Sequence, residues 1–264
     1  MKIATFNING INARLPRLLD WLGETKPDVA CLQELKCPDE RFPHAEIEAA
    51  GYHALVHGQK SWNGVAILSK HEAVETRRGL PGGDNDEQSR YLEAAIDGVL
   101  VGALYLPNGN PLPGPKFDYK LDWMARLHAH AAALLATEMP VVLAGDYNVC
   151  PTAEDVFSER AMADNALYQP ESRAAFRALL AQGWTDAIRA LQPSGRAYTF
   201  WDYTMGAWPR DLGLRIDHLL LSPVLADRLI DAGVDRQTRA AEKASDHAPT
   251  WIEVRALSAF SYTR

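Results

Sequence analysis

Short apolar runs of strand length recur along the chain, separated by longer segments in which apolar residues return every three or four positions. Residues 1–8 (MKIATFNI) alternate loosely and stop at Asn9–Gly10, which reads as a strand entering a turn. Leu15, Leu18, Leu19 and Leu22 follow at helical spacing within 13–23, and Lys26–Pro27 closes that helix. Residues 28–34 (DVACLQE) form a run of buried-strand length. A helix is predicted near 43–50, and strands near 52–56 and 64–69 are punctuated by Gly51 and Gly64. A polar loop over 79–90 (GLPGGDNDEQSR) leads to strands near 91–97 and 99–105, and Pro107 to Pro115 is a Pro/Gly/Asn loop. The longest helix is predicted over 116–137, with Phe117, Leu121, Met124, Leu127, Ala131 and Leu134/Leu135 as one apolar stripe. Beyond it come a strand at 140–145, a long irregular region with a helix near 171–181, and strands at 216–221, 229–234 and 249–254. Strands and helices interleave without an internal repeat, a low-complexity tract or a clean linker. A single domain over residues 1–264, with sheets covered by helices, is therefore expected.

Composition narrows the class. Of 264 residues, 47% are hydrophobic and 23% charged, enough apolar material to bury a core and exclude disorder. No stretch approaches the roughly 18 consecutive apolar residues of a membrane span. The chain enters a strand at once, and Cys31, Cys37 and Cys150 lack metal-type spacing, so a reduced cytoplasmic setting is expected. The net charge of −7 argues against passive coating of nucleic acid. It leaves room for an enzyme that holds a phosphodiester through a cation and a local basic rim.

Polar residues collect at the ends of the apolar runs. Asn7, Glu34, Tyr105, the Asp146–Tyr147–Asn148 group and Asp217 each follow one, and Ser245–Asp246–His247 precedes the last strand. Singly, each has an ordinary explanation as a turn former, a helix cap or a satisfied histidine. Six such sites in one chain suggest a crevice at the strand ends, where α/β proteins place ligands. Several carboxylates with amide oxygens suit a hard divalent ion such as Mg²⁺ or Mn²⁺, and such an ion would let an acidic cluster face an anionic substrate. With a histidine and a tyrosine beside them, the set fits metal-assisted phosphodiester hydrolysis. Neither a G-x-S-x-G hydrolase motif nor a phosphate-binding G-x-x-x-x-G-K-[ST] is present.

Nine ordered segments carry a resemblance that runs essentially end to end: FNINGI (6–11), PDVACLQELK (27–36), HGQKSWNGVAILSK (57–70), RRGLPG (77–82), YLPNG (105–109), GDYNV (145–149), YTFWDY (198–203), GLRIDHLLLS (213–222) and SDHAPTW (245–251). The chain resembles the exonuclease III type of apurinic/apyrimidinic (AP) endonuclease, within the DNase I-like endonuclease/exonuclease/phosphatase superfamily. The LQE, GD-x-N and SDH elements specify the superfamily's chemistry, whereas GQKSWNGVA, RRGLPG, YTFWDY and GLRID point to its DNA-repair branch. The resemblance implies a four-layer α/β sandwich, with two central mixed β-sheets flanked by helices. It also implies a metal-dependent DNA-repair nuclease that incises 5′ to abasic sites and leaves a 3′-hydroxyl, with 3′→5′ exonuclease and 3′-end-cleaning activity on duplex DNA as further possibilities. A monomer acting on double-stranded DNA, associated with the nucleoid and not with a membrane, is expected.

Roles carry over by resemblance, position by position. Glu34 is the principal metal ligand, helped by Asn7 and Asp246. Asp146 aligns or deprotonates the attacking water, Asn148 orients the phosphate, and His247 donates to a non-bridging oxygen while Asp217 holds its imidazole. Tyr105 lies near the phosphate as donor or phenolate. With two ions instead of one, Asp146, Asn148 and His247 would ligate the second. Phe200, Trp201 and Leu214 would wall a small apolar pocket for a baseless sugar, and Asn9, Lys36, Asn108 and the Arg77/Arg78 stretch are candidate phosphate contacts. The chain departs from the family pattern at Asn12, where an arginine is frequent, at Leu35, where threonine is frequent, and in the loop Thr204–Trp208. These departures leave the reaction untouched and leave open the balance between incision, exonuclease and end cleaning. The rivals are a phosphoesterase of small esters or lipids and a catalytically dead DNA-binding relative. YTFWDY and GLRID weigh against the former, and the filled catalytic positions weigh against the latter.

Overall fold

The computed structural model describes residues 1–255. In chain order the strands are β1 (Lys2–Asn7), β2 (Val29–Gln33), β3 (His53–His57), β4 (Val65–Ser69), β5 (Val74–Arg78), β6 (Tyr91–Ile96), β7 (Val99–Tyr105), β8 (Val141–Asp146), β9 (Thr185–Asp186), β10 (Asp217–Leu221), β11 (Leu229–Val234) and β12 (Thr250–Val254). The helices that cover them are α1 (Ile11–Thr25), α2 (His44–Ala49), α3 (Pro115–Leu135) and α5 (Pro170–Ala181), with α4 (Glu159–Met162), α6 (Ala187–Leu191) and α7 (Pro223–Ala226) as short links. The strands make two six-stranded sheets, ordered β11–β12–β1–β2–β4–β3 and β5–β6–β7–β8–β10–β9. Each contains one parallel pair, β1 with β2 and β7 with β8, among antiparallel neighbours.

The near-continuous apolar runs are explained by burial on both faces. Ile3, Val29, Cys31 and Ile67 of one sheet pack against Val101, Ala103, Val142 and Leu219 of the other. Their alternate neighbours Ala4, Phe6, Ala30 and Leu32 face outward onto Ile11, Leu18 and Leu22 of α1. On the far side Leu104, Val141 and Leu143 face Met124, Leu127 and Ala131 of α3 and Phe176 of α5. The result is the four-layer sandwich, helix on sheet on sheet on helix, in which each fully buried aliphatic side chain contributes about 1.5–3 kcal/mol. Among the described residues no helix is long and apolar enough to cross a membrane.

Two features depart from the hydrophobic pattern. β5 carries no apolar signal because all five of its residues are exposed, and it is held only as an edge strand against β6. The buried face of α3 is rotated from the expected stripe: it runs through Lys120, Trp123, Met124, Leu127, His130, Ala131 and Leu134, leaving Phe117 and Leu121 half-buried. Two polar residues sit on that face because both are satisfied there. His130 meets Glu93 at 2.9 Å and the Tyr91 hydroxyl at 3.2 Å, and Lys120 bonds two backbone carbonyls.

Gly145 pairs with Leu104 where β7 and β8 run side by side, and a Cβ there would lie 1.9 Å from the Leu104 carbonyl oxygen. Gly145→Ala should destabilise the fold by about 3 kcal/mol, because backbone on both sides has to move. Exposed Gly23, inside α1 with no atom near its added Cβ, should instead gain about 0.5–1 kcal/mol on substitution by alanine. Urea denaturation of the two variants measures both signs.

Candidate active site

The topology brings the polar strand ends to one edge. Asn7, Glu34, Tyr105 and Asp146 follow or close β1, β2, β7 and β8, which all end on that side. Asp217 opens β10 rather than closing a strand, and antiparallel pairing sets it directly opposite Asp146. Likewise β12 runs antiparallel to β1, so the Ser245–His247 segment before it returns to the end of β1. Ser245 donates through its hydroxyl to the Asn7 carbonyl at 2.6 Å and ties that return in place.

At the centre, His247 Nδ1 lies 2.8 Å from Asp217 Oδ2, and its Nε2 lies 3.7 Å from Asp146 Oδ2. Burial by itself would lower the imidazole, but the two aspartates outweigh it and raise His247 to about 10, so the ring is a cation. Burial pushes the Asp146 carboxyl up, and Asp217 adds to that effect while His247 and Asn7 oppose it. The Asn7 amide donates to both Glu34 Oε1 at 3.0 Å and Asp146 Oδ2 at 2.9 Å, linking two like charges. Glu34 also accepts from the Tyr105 hydroxyl at 2.8 Å and pairs with Lys36 at 3.0 Å. Burial opposes ionisation of Glu34, yet Asn7, Lys36 and His247 hold its carboxyl below the usual range. Tyr105 is pushed well above its ordinary value by burial and then by Glu34 and Asp146, which favours the hydroxyl as donor over the phenolate.

Around this centre, Asn9 donates to Asp246 Oδ1 at 2.9 Å and accepts from Lys36 Nζ at 2.5 Å. The Asn148 N–H donates to Asp146 Oδ1 at 2.9 Å, its side chain donates to the Leu106 carbonyl at 2.8 Å, and Asn108 donates to it at 3.1 Å. Asn9, Glu34, Lys36 and Asn148 all have left-handed backbones, with φ of 50°, 52°, 53° and 48°. Each such residue costs roughly 1–2 kcal/mol, and their concentration here is backbone strain stored where side chains must be aimed.

One atom each of Glu34, Asp146 and His247 lies within 4.8 Å of the others. Opposite ligands of one ion at roughly 2.1 Å bonds stand about 4.2 Å apart, so this group could hold a metal. The oxygens fit a hard cation. The protonated His247 opposes ligation through its own nitrogen, which leaves Glu34, Asp146, Asn7 and Asp246 as the better donors.

The remaining expected residues divide. Phe200 is half-buried, lies 5.0 Å from the His247 ring between centroids, and bridges to nearly buried Leu214. Trp201 does not wall the pocket: it is wholly buried against Tyr198, Ala207 and Ala248, and its indole donates to Asp211 at 3.0 Å. Its apolar bulk belongs to the support under the 198–214 segment, which corrects the expectation that it faces DNA. Arg78 on β5 is engaged by Glu75 at 2.6 Å and by the Val56 carbonyl at 2.7 Å.

Sequence reasoning missed three groups. Lys120 was overlooked on α3, although a lysine on the apolar face of a helix is itself a signal. Arg215, wholly buried, grips Asp155 at 2.6 Å and Asp186 at 2.8 Å, and so anchors the strand entry that carries Asp217. Arg14 donates to the Tyr203 hydroxyl at 3.2 Å and to the Asn9 carbonyl, and Arg239 stacks on Tyr203 at 5.0 Å, forming a basic rim on an acidic protein.

Because His247 titrates higher in the folded chain, at about 10 against an ordinary 6.5, its pairing stabilises fully below pH 6.5 and is lost as pH rises toward 10. The stability gap between wild type and Asp217→Asn should therefore be widest near pH 6 and shrink with rising pH, as followed by urea denaturation in metal-free buffer. The His247 ring should titrate lower in the variant by NMR.

The family model for the endonuclease/exonuclease/phosphatase family matches residues 4–247. The exodeoxyribonuclease III of Haemophilus influenzae is 36% identical, covering 96% of this chain and 99% of the relative. An AP endonuclease structure from Archaeoglobus fulgidus superposes with a TM-score of 0.93 at 38% identity, covering 96% of this chain and 99% of that one. A Neisseria 3′ phosphatase solved with a product DNA hairpin superposes at 0.94 with 39% identity, covering 97% and 99%. Fold, edge cluster and relatives agree: the chain belongs to the endonuclease/exonuclease/phosphatase family, as a hydrolase of the exonuclease III and AP endonuclease type.

Proposed function

We propose that this protein is a Mg²⁺-dependent DNA-repair nuclease that hydrolyses the phosphodiester 5′ to an abasic site, leaving a 3′-hydroxyl, and that the same site trims blocked or recessed 3′ ends. The observation that carries this reading is the imidazolium of His247 held between Asp217 and Asp146, with Glu34 alongside. It is supported by relatives named as an exodeoxyribonuclease III, an AP endonuclease and a 3′ phosphatase bound to DNA.

The residues divide the work. Asp146, whose carboxyl burial pushes up, takes the proton of an attacking water as a general base. His247 Nε2 carries a proton that it donates to a non-bridging oxygen, where negative charge grows in the transition state. Asp217 keeps that ring charged and aimed, acting through Nδ1. Asn148 offers its remaining amide hydrogen to the phosphate, and Tyr105, whose single hydroxyl proton goes to Glu34, holds that carboxylate beside it. Glu34, Asn7 and Asp246 would hold a divalent cation, Mg²⁺ with Mn²⁺ as a substitute, which supplies positive charge against the phosphate. Phe200 and Leu214 present an apolar pocket that admits a sugar without a base and excludes a normal nucleotide by size. The rim of Arg14, Lys36 and Arg239 draws the DNA backbone toward a chain whose net charge is −7.

The test is an end-labelled duplex carrying one abasic analogue beside an intact duplex, each with Mg²⁺ and with EDTA. A single Mg²⁺-dependent cut 5′ of the lesion is expected, and no cleavage of either duplex by folded protein would overturn the reading. Asp146→Asn and His247→Asn should each lower kcat by about 10³-fold while duplex affinity holds within a few-fold. Phe200→Ala should narrow the preference for abasic over intact DNA, as measured by the ratio of kcat/KM on the two substrates.

A further inference from the structure

Lys120 has no exposed surface and no carboxylate among its hydrogen-bond partners. Its Nζ instead donates to the backbone carbonyls of Asn108 at 3.1 Å and Asn148 at 2.5 Å. Those residues lie in the loops just beyond β7 and β8, the adjacent parallel strands of the site. Their side chains meet each other at 3.1 Å, so one lysine closes the two loops from behind while the asparagines pair in front. The lysine stem also accounts for the glycine of YLPNG. Gly109 has φ of +93°, and a Cβ there would come within 2.7 Å of Lys120 Cδ.

Packing does not explain the choice of residue. A polar amine deep in a protein is costly to desolvate, and a methionine would fill the same volume without that cost. What methionine lacks is a donor for two carbonyls. Without it, nothing from α3 holds Asn148 in its left-handed backbone, with φ of 48°.

We propose that Lys120 is a positioning residue for phosphodiester hydrolysis, fastening the Asn108 and Asn148 loops together so that the Asn148 amide meets the reacting phosphate. This inference rests on the nuclease reading and concerns one further residue of the same site. Lys120 touches neither substrate nor reacting atoms and acts entirely through Asn148.

The experiment is a double-mutant cycle of Lys120→Met and Asn148→Ala on the abasic duplex with Mg²⁺, with thermal melts confirming folded protein. Lys120→Met should lower kcat at least about 10-fold, since misplacing a group by an ångström costs up to about 10²-fold, with KM little changed. Added to Asn148→Ala, it should cost no more than about 3-fold further, because coupled residues are not additive. Losses that simply multiply, or a Lys120→Met enzyme with wild-type kcat, would overturn the proposal. Lys120→Gln, shorter but still polar, is carried through the same cycle and replaces the methionine variant if that one does not fold. Wild-type protein inert on the duplex would instead count against the nuclease reading itself, so the two failures are distinct.

Discussion

Asp146 and Asp217 face each other across the β8–β10 ladder, both almost wholly buried at the edge of a sheet. Two like charges in a low-dielectric edge are unstable unless something positive or hydrogen-bonding stands between and around them. Much of the surrounding architecture answers that demand. His247 reaches both carboxylates from the segment before β12, a strand of the opposite sheet. Asn7, from the end of β1 in that same sheet, links Asp146 to Glu34. The site is therefore also a set of polar ties between two sheets that otherwise pack mainly through apolar side chains.

The second ring of interactions fixes direction rather than charge. Buried Arg215, held by Asp155 and Asp186, pins the backbone just ahead of Asp217, while Lys120 does the corresponding work beneath Asn148. Both are basic groups satisfied inside the protein, and neither is free to meet DNA. Other cations lie on the rim. There Arg14 and Arg239 hold Tyr203 from two sides and fasten the 202–210 loop beside Asn9. Local positive charge at the mouth, set on an acidic body, would draw DNA toward the cluster.

The secondary structure was largely legible in the sequence because burial on both faces of a sheet leaves continuous apolar runs. Each predicted strand from 1–8 to 249–254 recurs within one or two residues of its expected ends. β5 was illegible for the opposite reason: an exposed edge strand buries nothing and leaves no period. The stripe on α3 was misaligned because Lys120 and His130 count as polar in a pattern, whereas in the fold their partners let them lie inside. Trp201 shows the limit for aromatic residues, since a tryptophan next to Phe200 in one motif can face the core while its neighbour lies against His247.

By itself, the sequence determined which polar residues stand at strand ends, because residue type and apolar periodicity are local properties. Which ends share an edge was not local. That was decided by the parallel pairing of β1 with β2 and of β7 with β8, and by the antiparallel return of β10 and β12. Only the tertiary structure made His247 a cation, since its charge depends on two aspartates 30 and 101 positions away in the chain. Only the tertiary structure, too, put a lysine under Asn148. Charge state and alignment arise from what surrounds a group in space, and that follows from how the layers close.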